Sequence, residues 1–362
     1  MIPLAPSHSD IEARRFCEAF MSSQFVAPRL VLGTNAFAAS LAEHAQIDGF
    51  INEFAEDQTE FLGRPLYHSL IDVPDEALVV SAVVLGRPHT ALRKLKDRGL
   101  RHIDYFGFAK NSGLPLLHTW DPGTFDKHFL EHRHQYDDLY QRLCDETSKS
   151  TLEDIINFRL TQEINHLEGY EDRQHEQYFE DFLELKPESE VFVDVGGYDG
   201  YTSAFFMDRC PRFDAVHIFE PESANARRIL ARFAGMDRIH LHEVGLADAP
   251  ATLRFSSSGS ASRISEHGDH VIRVERLDDV LHAPYTFMKM DIEGAEGSAI
   301  AGAAESIRRH RPRLAISVYH RHDDLLAISQ QVLALMPDCR IYLRHYTEGV
   351  TETVMFFLPE AA

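Results

Sequence analysis

The stretch VFVDVGGYDGYT, residues 191–202, decides the fold of this chain. An apolar run that reaches a glycine-rich turn, broken only by Asp194, is typical of a buried parallel strand that passes directly into a helix. Glycines at such a turn let a ligand lie against the backbone where the helix begins. The stretch therefore predicts a ligand-binding strand end in a doubly wound α/β sheet.

The alternation of strands and helices continues after that stretch. Apolar runs predict strands at residues 191–195, 216–220, 239–244, 287–291 and 314–319. Two further runs, 340–345 and 353–358, have no helix between them and predict a terminal antiparallel hairpin. Residues 187–362 are therefore expected to form a mostly parallel Rossmann-like sheet with an antiparallel edge, which binds its ligands at the carboxyl ends of the strands.

A smaller Rossmann-like α/β domain is predicted over residues 1–118. Short apolar runs near residues 30–32, 47–50, 77–85 and 103–106 alternate there with helical spacing. Its first turn, Gly33 to Asn35, lies at a strand end and predicts recognition of the nucleotide part of an activated sugar, or of an assembly partner. A purely structural packing domain is the plain alternative.

Residues 119–186 have a different pattern and predict a helical connector. Charged and aromatic residues dominate, and apolar positions recur with helical spacing between Leu152 and Leu167. Ser150 with Glu153 has the spacing of a capping box, as does Thr151 with Asp154 one position later, so this helix is expected to begin there.

The composition excludes several classes of function. The formal net charge of -21 opposes binding to nucleic acids and to anionic membrane surfaces. The four cysteines lie far apart and form no CxxC pair, which predicts reduced thiols and a cytoplasmic location. No apolar run is long enough to span a bilayer, so membrane insertion is not expected. The sequence leaves a homo-oligomer open.

Two strand ends predict an adenosine site. Glu220 ends the strand after the glycine-rich turn, where a carboxylate can accept both hydroxyl hydrogens of a ribose. A dinucleotide fingerprint would need glycines at positions 198 and 201, and both are tyrosines, which disfavours a pyrophosphate. Asp194 instead suits a ligand that carries a cation, such as S-adenosylmethionine. The predicted cofactor-binding residues are Asp194, Gly196, Gly197, Tyr198, Gly200, Glu220, Pro221 and Asp291.

Several ordered motifs together resemble the FkbM family of methyltransferases. They are VDVGGYDGYT (193–202), FEP (219–221) followed by Asn225, KMDIEGAE (289–296), SVYH (317–320) and RHY (344–346), within a resemblance over residues 177–359. The resemblance implies a class I S-adenosylmethionine-dependent fold and methyl transfer to a hydroxyl, commonly on a sugar. Gly197 departs from the family, which more often has alanine there, and this change is not expected to affect binding.

A sugar hydroxyl needs help to lose its proton, and two arrangements would provide it. In the favoured one, His320 is the base and Asp291 or Glu293 orients it or the substrate. In the other, Mg²⁺ is bound by Asp291, Asp323 and Asp324 and lowers the pKa of the sugar oxygens. Lys289, His322, Arg344 and His345 are the predicted substrate-binding residues, with structural pairing as the plain alternative.

The favoured function is therefore O-methyl transfer to a saccharide or sugar-containing acceptor. A different class, a nucleotide-sugar or partner-binding scaffold whose methyltransferase half binds cofactor without catalysis, is disfavoured because Asp194, Glu220 and Asp291 are all present. An NAD-dependent oxidoreductase is disfavoured by Tyr198 and Tyr201.

Overall fold

The computed structural model describes residues 1–6, 10–256, 263–264 and 270–360. In this part of the chain the strands form three sheets, of six, four and seven strands. No helix within these ranges is both long enough and apolar enough to cross a membrane.

The amino-terminal sheet has the strand order β3-β4-β2-β1-β5-β6. Strands β1, β2, β5 and β6 pair in parallel and correspond to the four predicted runs. The β3–β4 pair was not predicted, because these strands are short and partly exposed and carry no apolar alternation. The elements are α1 Ile11–Met21, β1 Arg29–Leu32, α2 Ala36–His44, β2 Gly49–Ile51, β3 Glu60–Phe61, β4 Arg64–Tyr67, β5 Leu78–Ser81, α3 Pro88–Asp97, β6 Arg101–Asp104 and α4 Tyr105–Ser112.

Three helices follow: α5 Pro122–Glu131, α6 Arg133–Arg142 and α7 Glu146–Thr161. Helix α7 begins before the predicted capping boxes at Ser150 and Thr151, so that prediction was wrong. Asp145 is the residue that caps the helix, since its side chain accepts a hydrogen bond from Ser148 N at 2.8 Å. Ser148 in turn accepts a hydrogen bond from Leu343 N, which fixes α7 against the last strands of the chain.

The carboxyl-terminal sheet has the order β16-β17-β15-β14-β7-β8-β9. Its inner strands are parallel, and β17 is antiparallel to both β15 and β16, so the predicted mostly parallel sheet with an antiparallel edge is confirmed. The strands are β7 Val191–Val195, β8 Ala215–Phe219, β9 Ile239–His242, β14 Phe287–Met290, β15 Arg313–Ser317, β16 Arg340–His345 and β17 Thr353–Leu358. The helices are α8 Tyr201–Arg209, α9 Ser223–Arg232, α10 Leu277–Val280, α11 Glu296–Gly302, α12 Ala304–His310 and α13 Asp324–Leu335.

A small sheet that the sequence pattern did not predict stands between β9 and β14. It contains β10 Gly245–Leu246, β11 Ala251–Ser256, β12 Arg263–Ile264 and β13 His270–Glu275, in the order β10-β13-β11-β12. Strand β9 is therefore connected to β14 through this sheet as well as the short helix α10. One edge of the small sheet lies beside the carboxyl end of β8, since Gly245 approaches Pro221.

The amino-terminal and carboxyl-terminal sheets share one continuous apolar core that includes Phe20, Leu41, Ile156 and Phe357. The loop between β16 and β17 contacts α3 and the segment between β5 and α3. Glu348 accepts hydrogen bonds from Thr90 N at 2.7 Å and from Thr90 Oγ1 at 2.5 Å. A Cβ atom on Gly349 would lie 2.4 Å from Leu85 O, so this contact leaves no room for a side chain.

Candidate functional site

A cleft of about 640 Å³ opens at the carboxyl ends of β7, β8 and β14. The chain leaves β7 towards β8 on one side and returns to β14 on the other, which makes this edge the switch point where such sheets bind ligands. The glycine-rich turn, the small sheet and the connector form its walls. Its lining includes Tyr178, Gly196, Gly197, Tyr198, Tyr201, Glu220, Pro221, Leu246, Val274, Asp291, Glu293 and Glu352.

Close packing requires the glycines of the turn after β7. A Cβ on Gly196, whose φ is 82°, would lie 2.0 Å from Asp291 O. A Cβ on Gly197 would lie 2.2 Å from Ile218 Cγ2, so the alanine common in the FkbM family would require Ile218 to move. The backbone of this turn therefore lies directly against the end of β14, and it borders the cleft.

Asp194 is placed differently from the prediction. It is fully buried and does not line the cleft, because its position in β7 directs the side chain towards α8. Ser203 Oγ donates a hydrogen bond to it at 2.7 Å, and Lys289 Nζ lies 3.2 Å from it. Lys289 also donates to Gly196 O at 2.6 Å. The buried pair of Asp194 and Lys289 thus holds the turn, and neither side chain is free to meet a ligand's charge.

Glu220 is placed as predicted, at the cleft and just after β8. Its Oε2 accepts a hydrogen bond from Tyr198 N at 2.8 Å, and its Oε1 accepts one from Glu222 N at 2.9 Å. Burial raises the pKa of Glu220, and these backbone donors oppose that change. The carboxylate is therefore fixed in orientation beside Pro221 and the glycine-rich turn.

His320 lies among three carboxylates beyond the end of β15. Its Nδ1 is 3.0 Å from Glu296 Oε1, and its Nε2 is 3.4 Å from Asp291 Oδ1 and 3.6 Å from Glu293 Oε2. Burial alone would lower the pKa of His320, but the contact with Glu296 and the three negative charges outweigh it and raise the pKa to about 10. At neutral pH this imidazole is a cation with no free lone pair, so the predicted role of His320 as base does not fit its environment.

Asp291 is held as a carboxylate by hydrogen bonds and nearby cations. Tyr178 OH donates to it at 2.8 Å and Tyr319 OH at 3.3 Å. Burial would raise the pKa of Asp291, but the charges of His320 and Lys289, together with the Tyr178 hydrogen bond, lower it. Asp291 is therefore ionised and a weak proton acceptor.

Two further carboxylates, Glu293 and Glu352, line the cleft beside Asp291. Burial raises the pKa of Glu293 to about 7. Burial and the charge of Asp291 raise the pKa of Glu352 to about 7. Gln177 Nε2 donates a hydrogen bond to Glu352 at 2.7 Å. A carboxyl group whose pKa is near 7 can take up a proton at neutral pH, and both Glu293 and Glu352 meet this condition.

The predicted Mg²⁺ ligands do not converge. Asp323 pairs with the side chain of Arg321, and Asp324 accepts a hydrogen bond from Arg321 N at 2.7 Å. Among the described residues, the group of potential metal ligands that lies close together is Asp291, Glu296 and His320.

Three predicted substrate contacts lie away from the cleft. Arg344 pairs with Asp145 at 2.7 Å. His345 is buried, which lowers its pKa to about 4, and its ring nitrogens lie within hydrogen-bond distance of Thr353 Oγ1 and Gly349 O. His322 lines a separate, smaller pocket.

Sequence reasoning missed Gln177, Tyr178, Glu296, Tyr319 and Glu352. Glu296 and Tyr319 belong to the strand-end motifs and could have been found there. Tyr178 and Glu352 lie in loops, both with positive φ, and no local pattern links them to the site.

Residues 194–345 match a family model described as the methyltransferase FkbM domain. The chain carries an FkbM methyltransferase domain. Over 153 residues the chain is 26% identical to the 2-O-methyltransferase NoeI of Sinorhizobium fredii (strain NBRC 101917 / NGR234), a match that covers 35% of the chain and 63% of NoeI. The match thus spans less than two thirds of that curated relative's length.

The crystal structure of methyltransferase FkbM from Methylobacillus flagellatus KT is similar over nearly the whole chain. The two chains are 26% identical and superpose with a TM-score of 0.76, over 96% of this chain and 93% of that one. The predicted family and class I fold are thereby confirmed, and the likeness includes the amino-terminal sheet and the connector.

Proposed function

We propose that this FkbM methyltransferase transfers the methyl group of S-adenosylmethionine to a hydroxyl of a saccharide or sugar-containing acceptor. One observation carries the proposal, the cleft at the carboxyl ends of β7, β8 and β14, with Glu220 at one end and the carboxylates of Asp291, Glu293 and Glu352 at the other. Pockets for small molecules and cofactors measure roughly 300–1,000 Å³, and this cleft falls within that range.

The residues of the cleft fit S-adenosylmethionine. Glu220 is oriented to accept hydrogen bonds from ribose hydroxyls, and the turn at Gly196 and Gly197 gives a ligand access to the backbone. The acidic end favours a cation, because His320 and the already paired Lys289 oppose four carboxyl groups there, those of Asp291, Glu293, Glu296 and Glu352. When bound, this cofactor supplies a methyl group that is already activated by its positive sulfur.

Glu293 is the proton acceptor in this proposal. It lines the cleft, and its pKa of about 7 matches the pH at which a general base works best. Glu293 would take the proton of the acceptor hydroxyl on a carboxylate oxygen. The bound cofactor would supply the methyl group to the acceptor oxygen and keep the electron pair of the broken carbon–sulfur bond on its sulfur, which becomes neutral. His320 stays protonated and positions Asp291 and Glu293, while the tyrosine hydroxyls of Tyr178 and Tyr319 hold Asp291 in place.

Similarity to NoeI, a 2-O-methyltransferase, supports oxygen as the atom that receives the methyl group. The saccharide acceptor follows from the same family resemblance. The net charge of -21 argues against a nucleic acid acceptor, since phosphates would be repelled. We include a cytoplasmic location in the proposal because all four cysteines are free thiols.

Calorimetry on the purified protein tests the cofactor. S-adenosylhomocysteine is expected to bind, and NADH is not. A radiolabelled methyl-transfer assay on host glycan extracts, run with and without chelator, then tests the reaction, and transfer is expected to persist in chelator. Absence of heat with S-adenosylhomocysteine contradicts the whole proposal. Binding without transfer to any extract favours the scaffold function instead.

A further inference from the structure

A second pocket, of about 240 Å³, lies where the connector meets the segment after β15. We propose that this pocket binds one neutral sugar ring of the acceptor, adjacent to the ring that is methylated. The inference rests on the proposed function and adds a subsite to it. The pocket is lined by Trp120, Asp121, Thr124, His320, Arg321 and His322.

Trp120 gives the pocket its apolar wall. Its indole Nε1 already donates a hydrogen bond to Tyr319 O at 2.9 Å, and the guanidinium of Arg159 covers the ring 4.6 Å from its centroid. The indole therefore has no donor left for a ligand and offers carbon surface. The C–H face of a pyranose ring packs well on such a surface, because aromatic rings combine large apolar area with a negative face that attracts C–H groups.

The polar rim complements the hydroxyls of a sugar. Asp121 can only accept hydrogen bonds and Arg321 can only donate them, while His322 can do both. Thr124 Oγ1 donates its hydrogen to Asp121 and can still accept one from a ligand. Each sugar hydroxyl likewise donates and accepts. Arg321 already pairs with Asp323 at 3.3 Å, and Asp121 accepts a hydrogen bond from Thr124 N at the start of α5. Both charges at the rim therefore have partners within the protein, so a neutral ring fits better than a strongly charged group. The volume suits a single ring, since it lies below the roughly 300 Å³ at which pockets for drug-sized ligands begin.

One side chain connects this pocket to the proposed reaction site. His320 lines the pocket and lies 3.4 Å from Asp291 and 3.6 Å from Glu293, which line the cleft. The backbone of Tyr319 anchors Trp120, and the hydroxyl of the same tyrosine reaches Asp291. A sugar ring in the pocket would therefore bring its neighbour in the chain towards Glu293.

The sequence contains a single tryptophan, so intrinsic tryptophan fluorescence reports on this pocket alone. We would titrate the full-length protein, saturated with S-adenosylhomocysteine, with maltotriose, cellotriose, chitotriose and mannotriose. At least one trisaccharide is expected to change the emission in a saturable way. In Asp121→Asn and His322→Ala its affinity should fall about tenfold, the effect of a lost hydrogen bond of about 1.4 kcal/mol. Asparagine still caps α5, so the first variant keeps the local fold.

His282→Ala, at an exposed histidine remote from the pocket, is the matched control and should bind the trisaccharide as the wild type does. The affinity for S-adenosylhomocysteine should be unchanged in all three variants. Emission that does not respond to any of the four sugars, or sugar affinity that survives both pocket variants, overturns the subsite and leaves the proposed function standing. Emission that changes with protein concentration alone also overturns it, because a second copy of the chain would then cover the pocket. Failure to bind S-adenosylhomocysteine overturns the proposed function separately.

Discussion

Strand β1 is the first strand along the chain in the amino-terminal sheet, and β7 is the first in the carboxyl-terminal sheet. Each is followed by a glycine with positive φ, Gly33 at 118° and Gly196 at 82°. Around the turn after β1, polar side chains find hydrogen-bond partners within the protein. Asn52 Nδ2 donates to Thr34 Oγ1 at 2.7 Å, and Asn35 Nδ2 donates to Ala82 O at 2.9 Å. Around the turn after β7, in the carboxyl-terminal sheet, carboxylates surround a cleft and several of them have a shifted pKa.

The difference teaches that the topology creates an opportunity for binding and the side chains decide whether it is used. A polar group that already has a neutral partner gains little from a ligand. Carboxyl groups crowded together at neutral pH gain more, because a cationic ligand relieves their repulsion. Ligand recognition by Gly33 to Asn35 stays a prediction, and four experiments would test the difference between the strand end after β1 and the one after β7.

Removing the proposed base should give the largest effect. Glu293→Gln is expected to lower kcat by about 10² to 10⁴ fold, the usual contribution of a general base. Methyl transfer from radiolabelled S-adenosylmethionine to a glycan extract measures it. The wild-type rate should rise as pH increases through about 7, because the raised pKa of Glu293 keeps the base protonated below that value. Glu53→Gln, which alters an acid just after β2 in the amino-terminal sheet, should leave the rate unchanged. An unaltered pH profile in Glu293→Gln would assign the base to another group.

Breaking one ion pair in each of the two sheets should lower the free energy of unfolding by different amounts. Lys289→Met leaves Asp194 buried without its cation and should cost about 3–5 kcal/mol of the free energy of unfolding. Lys94→Met breaks the half-exposed pair with Glu53 and should cost less than about 1 kcal/mol. Chemical denaturation of both variants measures the two losses. Equal losses would show that the Lys289 pair is not a buried structural element.

Adding a methyl group at each first turn should distinguish close packing from backbone strain. Gly33→Ala meets no atom closer than 3.5 Å and should cost only the strain of positive φ, about 1–2 kcal/mol. Gly196→Ala adds a clash with Asp291 O and should cost about 3 kcal/mol in total. Thermal unfolding midpoints compare the two, and the Gly196 variant should also bind S-adenosylhomocysteine more weakly. Matching midpoints would contradict the packing of the turn against β14.

The smallest effect concerns charge. The pKa of both Glu293 and Glu352 is raised to about 7, so both carboxyl groups are largely neutral below that pH and negative above it. Between about pH 6 and about pH 8, the affinity for cationic S-adenosylmethionine should rise about fivefold relative to neutral S-adenosylhomocysteine, as a gain of about 1 kcal/mol gives. Calorimetry at both pH values measures the ratio. Glu293→Gln should reduce its change, and a ratio independent of pH in the wild type would remove the electrostatic role of these groups.

The sequence predicted the strands of the larger sheet because buried parallel strands are nearly continuous apolar runs. It also located Glu220, Asp291 and Glu293, since acids at strand ends share one edge of a sheet. The small sheet was not predicted because its strands are not continuous apolar runs. Strand β11 alternates apolar and polar residues, as a half-exposed antiparallel strand does, and this weaker pattern was missed.

The remaining features depend on tertiary contacts. The direction of Asp194 follows from which side of β7 faces α8, and that cannot be read from a strand surrounded by helices. The pKa of His320 depends on the approach of three carboxylates from another segment. Tyr178 and Glu352 enter the site from loops whose paths are set only when the sheet and the connector pack together.

The loop between β16 and β17 ties the two halves of the molecule to one another. Glu348 accepts a hydrogen bond from Thr90 near the start of α3, and Glu352, four positions later, lines the cleft. Cutting away the amino-terminal sheet would release this loop and displace Glu352 together with it. A shortened protein would therefore lose turnover because Glu352 is displaced, even if the removed half never contacts a sugar. Point substitutions at Thr90 are the cleaner way to separate the effect of the loop from any sugar binding by the amino-terminal half.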